Sequence, residues 1–143
     1  NSKSFDPDYY LLYSKILTGI EKKLNFTMRN ILNARIQLQL PLLHEKDKEY
    51  GIPHIDIHVN GYRKEPYYVV VYYVNDVDGD TILFKQTTEN CTPQDIIDGK
   101  LDIRKRVSPK KGRAVIFDGN IYHSVGKPKT DMRCIVNFNF TYE

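Results

Sequence analysis

From Tyr9 to Leu24 apolar residues return every three to four positions, at Tyr9, Leu12, Ile16, Ile20 and Leu24. That period predicts an amphipathic helix with one side against a core. Asp6 is a good N-cap, Pro7 suits the first helical position, and Asp8 favours the positive end of the helix dipole. Lys22 and Lys23 fall in the last turn and Asn25 closes it. Further on, the period shortens towards two. Strand candidates are Ala34–Leu40, Pro53–Val59, Tyr67–Asn75, Thr81–Phe84, Arg104–Val107, Arg113–Phe117, Ile121–Val125 and Arg133–Phe140. Asn60-Gly61, Asp78-Gly79, Asp118-Gly119-Asn120 and Gly126-Lys127-Pro128 separate several of them. Short strands at this spacing, behind a leading helix, predict a mostly β fold with an N-terminal helix: a barrel or a double-sheet jelly roll. One domain over 1–143 is expected, with 1–33 as helical cover and 34–143 as the β core.

Parity along the last strand sharpens that picture. Arg133, Ile135, Asn137 and Asn139 share one face, and Cys134, Val136, Phe138 and Phe140 share the other. The polar face is expected to line a cavity, and the apolar face to pack under the helix. The chain of 143 residues is long enough for a core without disulfides or metals. Cys91 and Cys134 make no framework, which points to a reducing, intracellular setting. The longest apolar run, Tyr67–Val74, suits a buried strand and is too short to span a bilayer. No membrane partner is expected. The net charge of +3, from 21 basic and 18 acidic residues, does not imply nucleic acid. A denser cluster, Arg104, Lys105, Arg106, Lys110, Lys111 and Arg113, could neutralise phosphates. No aromatic residues interleave it to stack bases, so a hairpin with solvated tips is the preferred reading.

The chemistry concentrates on few residues. The four histidines are His44, His54, His58 and His123. His54, Asp56 and His58 alternate along one candidate strand and share a face, with Ile55, Ile57 and Val59 on the other. Alone, His-x-Asp reads as a solvent-facing strand. His123, beside an apolar strand, is either a core histidine bonded to backbone or the third member of a two-His, one-carboxylate site. That ligand set leaves three positions of an octahedral metal open, as in non-haem Fe(II) oxygenases. The same ligands suit an open zinc site, although no helical His-Glu-x-x-His favours a zinc hydrolase. Arg133 follows His123 across a turn at Pro128. In a hairpin the two would be cross-strand neighbours; in a jelly roll they would sit on facing sheets. An inward arginine needs an anion, and a carboxylate is its natural bidentate partner.

Taken together, Pro53-His54-Ile55-Asp56, Tyr72-Tyr73-Val74-Asn75, Asp78-Gly79-Asp80-Thr81, Val107-Ser108-Pro109, Gly112, Phe117, His123-Ser124-Val125 and Arg133 resemble the 2-oxoglutarate, Fe(II)-dependent oxygenases, in the prolyl 4-hydroxylase-like branch. The resemblance implies a double-stranded β-helix (jelly roll, cupin-like) core. It implies iron held by His54, Asp56 and His123, with 2-oxoglutarate chelating the metal and Arg133 pairing with its distal carboxylate. Tyr73 matches a position that often bonds that carboxylate, and Asn137 one that lines the same pocket. O2 is the co-oxidant and ascorbate a reductant. The product is a hydroxylated C–H, with a prolyl residue in a peptide or protein as the family-level substrate. A small-molecule or nucleic-acid oxygenase, or an inactive jelly-roll binding module, are the alternatives. His58, on the same face one pair further on, could touch substrate near the mouth, but a solvated side chain is the preferred reading, and the loop Asn60–Pro66 could act as a substrate lid. The family's Gly-Gly-x-Thr reads Asp78-Gly79-Asp80-Thr81 here.

Overall fold

A computed structural model describes residues 7–25, 27–41, 49–57 and 66–142. The elements run α1 (Pro7–Leu24), β1 (Met28–Gln39), β2 (Tyr68–Tyr73), β3 (Thr81–Thr87), α2 (Pro93–Ile97), β4 (Ile103–Val107), β5 (Ala114–Asp118), β6 (Ile121–Val125) and β7 (Arg133–Tyr142). The strands form two antiparallel sheets, one ordered β1-β7-β2-β5 and one ordered β4-β3-β6. The fold is mostly β with an N-terminal helix, as the pattern predicts.

Alternation on β2 and β7 builds a core on each side of the large sheet. Val69, Val71, Tyr73 and Ile135 point inward and meet Leu83, Phe117 and Ile121 between the sheets. Val70, Val136, Phe138 and Phe140 point outward and pack under Tyr13, Leu17 and Ile20 of α1. Tyr13 meets Phe138 edge-on, ring centroids 6.1 Å apart. The parity expected of β7 therefore holds on its apolar face. A third group, Ile82, Phe84 and Leu101, lies with Ile96 and Tyr122 on the outer side of the small sheet.

Several expectations shift. The buried face of α1 runs through Tyr13, Leu17 and Ile20, whereas Leu24 is exposed. The helix is apolar around much of its girth, so spacing alone left its rotation open. Asn25 closes it as expected, at φ 55°, donating its backbone N–H to the Glu21 carbonyl at 2.8 Å. β1 begins at Met28, ahead of the expected Ala34, because it pairs with β7 over nearly its whole length. The helix α2 was missed, although Thr92-Pro93-Gln94-Asp95 carries its start signal. The Thr92 side chain accepts from the Asp95 backbone, and the Asp95 carboxylate accepts from the Thr92 N–H. No strand spans Pro53–Ile57. In place of a ladder, the chain from Tyr50 meets β6 and the residue after it through isolated bridges, Tyr50 to Gly126 and His54 to His123, and through the Ser124 hydroxyl, which donates to the Gly51 carbonyl. Pro53 has no N–H to extend a ladder. The chain bends at Asp56, and Ile57, expected on the opposite face, joins the inter-sheet core.

The basic cluster is not a hairpin. β4 pairs with β3 and β5 with β2, so the link between them crosses from the small sheet to the large one. Arg106 pairs with Glu49 at 2.9 Å, and Arg113 donates to the Ser108 carbonyl.

Candidate metal centre

The bridge at His54 is reciprocal. Its N–H donates to the His123 carbonyl at 2.9 Å, and the His123 N–H donates back at 3.0 Å. These bonds fix the two imidazoles beside each other, ring centroids 4.6 Å apart. Each ring is oriented by its own chain. His54 Nδ1 lies 2.9 Å from the Ile52 carbonyl, and His123 Nδ1 lies 3.2 Å from the Ile121 carbonyl. A carbonyl only accepts, so both Nδ1 atoms carry the proton and both Nε2 lone pairs are free for a metal.

Asp56 completes the set. Its Oδ1 stands 3.8 Å from His54 Nε2 and 3.5 Å from His123 Nε2. One ligand atom from each residue lies within 4.8 Å of the others. Adjacent ligands on an ion with bonds of about 2.1 Å stand about 3 Å apart, so small side-chain movements bring these three onto one ion. The other carboxylate oxygen, Oδ2, accepts from Asn137 Nδ2 at 3.2 Å. Asn137 would therefore serve as an outer partner if Asp56 held a metal. The residues fit a divalent metal: two neutral imidazole nitrogens and one carboxylate, with His54 half-exposed and the other two side chains buried.

The electrostatics agree. Burial by itself would raise the Asp56 carboxyl, but in the metal-free protein its contacts with His123, then Asn137 and His54, hold it at about 2. Burial lowers the His54 pKa, His123 adds to this, and the Ile52 carbonyl and Asp56 oppose it. Both shifts keep the groups in the metal-binding form. Phe117 meets the His123 ring edge-on at 4.9 Å and shields it from the core side.

Arg133 sits on β7, in the sheet facing β6, so the facing-sheet arrangement is the one adopted. It is 1% exposed. Its Nη1 donates to Gln39 Oε1 at 2.8 Å and its Nη2 to Thr81 Oγ1 at 2.9 Å, while Nε has no partner among the described residues. Among the described residues it forms no ion pair. Burial lowers its pKa; Tyr73 and Asp80 pull it back. The Tyr73 ring lies beneath the guanidinium at 5.5 Å, and its hydroxyl contacts Thr81 Oγ1 at 2.6 Å. Burial pushes the Tyr73 pKa up, against the Thr81 bond, so the phenol is neutral.

Thr81 and Gln39 were not singled out from the sequence. Thr81 had a signal, the threonine retained in Asp78-Gly79-Asp80-Thr81. Gln39 had none, since its place opposite Arg133 comes from the β1–β7 register. Asn75 earns its place in the motif by holding the entry to β7. Its amide donates to the Met132 carbonyl, and its carbonyl oxygen accepts from the Cys134 N–H. The departure at Asp78 leaves the turn intact. Gly79 keeps φ +91°, and Asp78 accepts from the Lys129 and Thr130 backbones. His44, His58 and the loop residues 60–65 lie outside the described residues. No helix among the described residues is long and apolar enough to cross a membrane. Cys91 and Cys134 form no disulfide.

No family model and no curated protein matches this chain. Among solved structures it is similar to the crystal structure of EvdMO1, with a TM-score of 0.54 and 17% identity. The likeness covers 78% of this chain but only 27% of that one. At that identity the similarity speaks for the fold. What the fold and site define together is a two-sheet β protein with a candidate His-Asp-His metal centre.

Proposed function

We propose that the chain is an Fe(II)- and 2-oxoglutarate-dependent dioxygenase that hydroxylates an unactivated C–H bond, with a prolyl residue of a peptide as the first candidate substrate. On this reading the two sheets are those of a double-stranded β-helix. One observation carries the proposal: a buried arginine with no ion-pair partner among the described residues faces, from the opposite sheet, three side chains suited to one metal. A zinc hydrolase needs only the ligands. Arg133 asks in addition for a ligand with a carboxylate at one end and a metal-binding group at the other.

His54 and His123 would hold the metal through Nε2, and Asp56 through Oδ1. When bound, the iron with 2-oxoglutarate supplies oxidation by O2, with succinate and CO2 as co-products. Arg133 would fix the distal carboxylate of 2-oxoglutarate, with the neutral Tyr73 hydroxyl and Thr81 setting the guanidinium plane. Asn137 keeps Asp56 turned so that one oxygen is free. The exposed edge of His54 marks the open side by which substrate reaches the centre.

The test is anaerobic titration of Fe(II)-loaded protein with 2-oxoglutarate, reading the visible charge-transfer band of the chelate. The band is expected in the parent protein and absent in His123→Ala. If protein with verified iron gives neither band nor binding, the oxygenase reading is wrong and a zinc enzyme or a binding module replaces it.

A further inference from the structure

The polar face of β7 continues past the residues used so far. Beyond Asn137 come Asn139 and Thr141, 0% and 4% exposed. Among the described residues neither Asn139 Nδ2 nor Oδ1 has a hydrogen-bond partner, and neither does Thr141 Oγ1 or Asn137 Oδ1. A buried polar group left unpaired costs about 1–3 kcal/mol, and native proteins keep few. Here three successive same-facing positions carry them. Asn139 sits between Val69 of β2, itself 0% exposed, and Asn33 of β1, and Thr141 stands opposite Asn30 of β1. The outward face of the same strand is filled with Val136, Phe138 and Phe140.

Position along the strand supplies a function. Asn137 touches the metal ligand Asp56. Arg133 lies about 13 Å from Asn137 in one direction, and Asn139 about 7 Å in the other, at a rise near 3.3 Å per residue. A dicarboxylate reaching from Arg133 to the metal fills the first side. The second side is where the other reactant's polar groups must be met.

We propose that Asn139, with Thr141 behind it, is a substrate-binding determinant for an amide. Its Oδ1 accepts an N–H and its Nδ2 donates to a carbonyl, so a peptide unit or carboxamide satisfies both. A carboxylate would set acceptor against Oδ1, and an alkyl group would leave both atoms bare. The word substrate rests on the oxygenase reading above; the amide subsite itself does not need the metal. The subsite is closed in this structure, so a ligand enters by displacing what covers it.

The test uses N-methylacetamide, the smallest mimic of a peptide unit. It is titrated at millimolar concentrations into isotope-labelled protein, free and loaded with Mn(II) and 2-oxoglutarate. The Asn139 side-chain NH2 resonances are assigned by their loss in Asn139→Leu. The expected result is a saturable shift of those resonances. Methyl acetate, which lacks the N–H, and the isosteric Asn139→Asp, which lacks the donor, each bind about tenfold more weakly. Asn139→Leu is expected to melt no lower than the parent protein, since it removes two unpaired groups, and to keep the parent's affinity for Mn(II) and 2-oxoglutarate. Absence of a saturable shift, equal binding of amide and ester, or a lower melting temperature for Asn139→Leu with Asn139→Asp unaffected in binding, each overturns the proposal. Failure of Mn(II) or 2-oxoglutarate to bind the parent protein overturns the oxygenase reading instead and leaves the amide titration to stand or fall alone.

Discussion

Replacing Arg133 by methionine separates a structural cation from one kept for a ligand. Methionine matches the length of the stem and brings no charge. The change removes two hydrogen bonds from a charged donor, to Gln39 and Thr81. Bonds of that kind contribute about 1.5–3 kcal/mol each. It also removes the cost of holding a guanidinium at 1% exposure without an ion pair among the described residues. That cost is several kcal/mol for a buried ion. Thr81 keeps its bond from Tyr73. The terms oppose each other and are of similar size, so the ligand-free protein should change in stability by no more than about 1 kcal/mol.

Ligand binding should respond differently. Truncating one partner of a buried charge pair costs about 2–5 kcal/mol. A loss of about 3 kcal/mol weakens 2-oxoglutarate by about two orders of magnitude. Calorimetric titration into Mn(II)-loaded protein measures this, with urea unfolding of the metal-free protein alongside. Pyruvate is the internal control: it has the metal-binding keto acid and no distal carboxylate, so its affinity should be the same in both proteins. The reasoning fails if Arg133→Met destabilises the free protein by several kcal/mol while 2-oxoglutarate binds as before. It fails also if pyruvate weakens as much as 2-oxoglutarate.

Asn137→Leu should weaken Mn(II) binding about tenfold by freeing Asp56 to turn, as loss of an outer partner does; titration calorimetry reads it, and an unchanged affinity would show that Asp56 needs no orienting bond. Gly79→Ala should cost at least about 2 kcal/mol in urea unfolding, from the positive φ together with the clash, because a Cβ there would meet the Gly126 carbonyl oxygen at 2.8 Å with φ held at +91°; a mutant as stable as the parent would refute that geometry. Acid should destabilise the metal-free protein in two steps, because His54 and Asp56 both have lowered pKa values in the fold. Each group's contribution is full above its unfolded pKa and is lost as pH falls through the lowered folded value. The first step begins as pH drops below 6.5 and the second runs from 3.8 towards about 2. Thermal melts across pH follow both, and His54→Gln should remove the upper step and slightly narrow the lower one, since His54 helps to hold the Asp56 pKa down.

Local patterns carried the parts of the molecule that local rules govern. The parity of β7 announced both its helix-covered face and its polar face, because pleating fixes sidedness whatever the partner strands are. Asn25 and Lys22-Lys23 marked the end of α1 because a helix terminus has its own chemistry. His54 and Asp56 were legible as a pair, since two residues apart in extended chain means one side. What local rules could not reach came from register and packing. The rotation of α1 depended on which of its apolar flanks the outward phenylalanines of β7 would meet. Gln39 became an Arg133 partner only through the β1–β7 ladder. The segment from Pro53 looked like a strand by alternation, yet without a proline N–H its contact with β6 shrank to single bridges.

That reduction matters for how the centre is built. His54 and His123 are tied to each other by two backbone hydrogen bonds and each is aimed by a carbonyl two residues back, so their relative geometry is set before any ion arrives. Asp56 is different. It stands at a bend, and its orientation comes from Asn137 in the opposite sheet. The imidazole pair therefore belongs to the small-sheet side and the carboxylate answers to the large sheet, which also holds Arg133. A shift of one sheet over the other would move Asp56 and Arg133 away from the histidines together. Metal affinity and affinity for a dicarboxylate should accordingly fall in parallel in variants that loosen the inter-sheet core, such as Phe117→Ala, while variants under α1, such as Phe138→Ala, lower stability and leave both affinities unchanged.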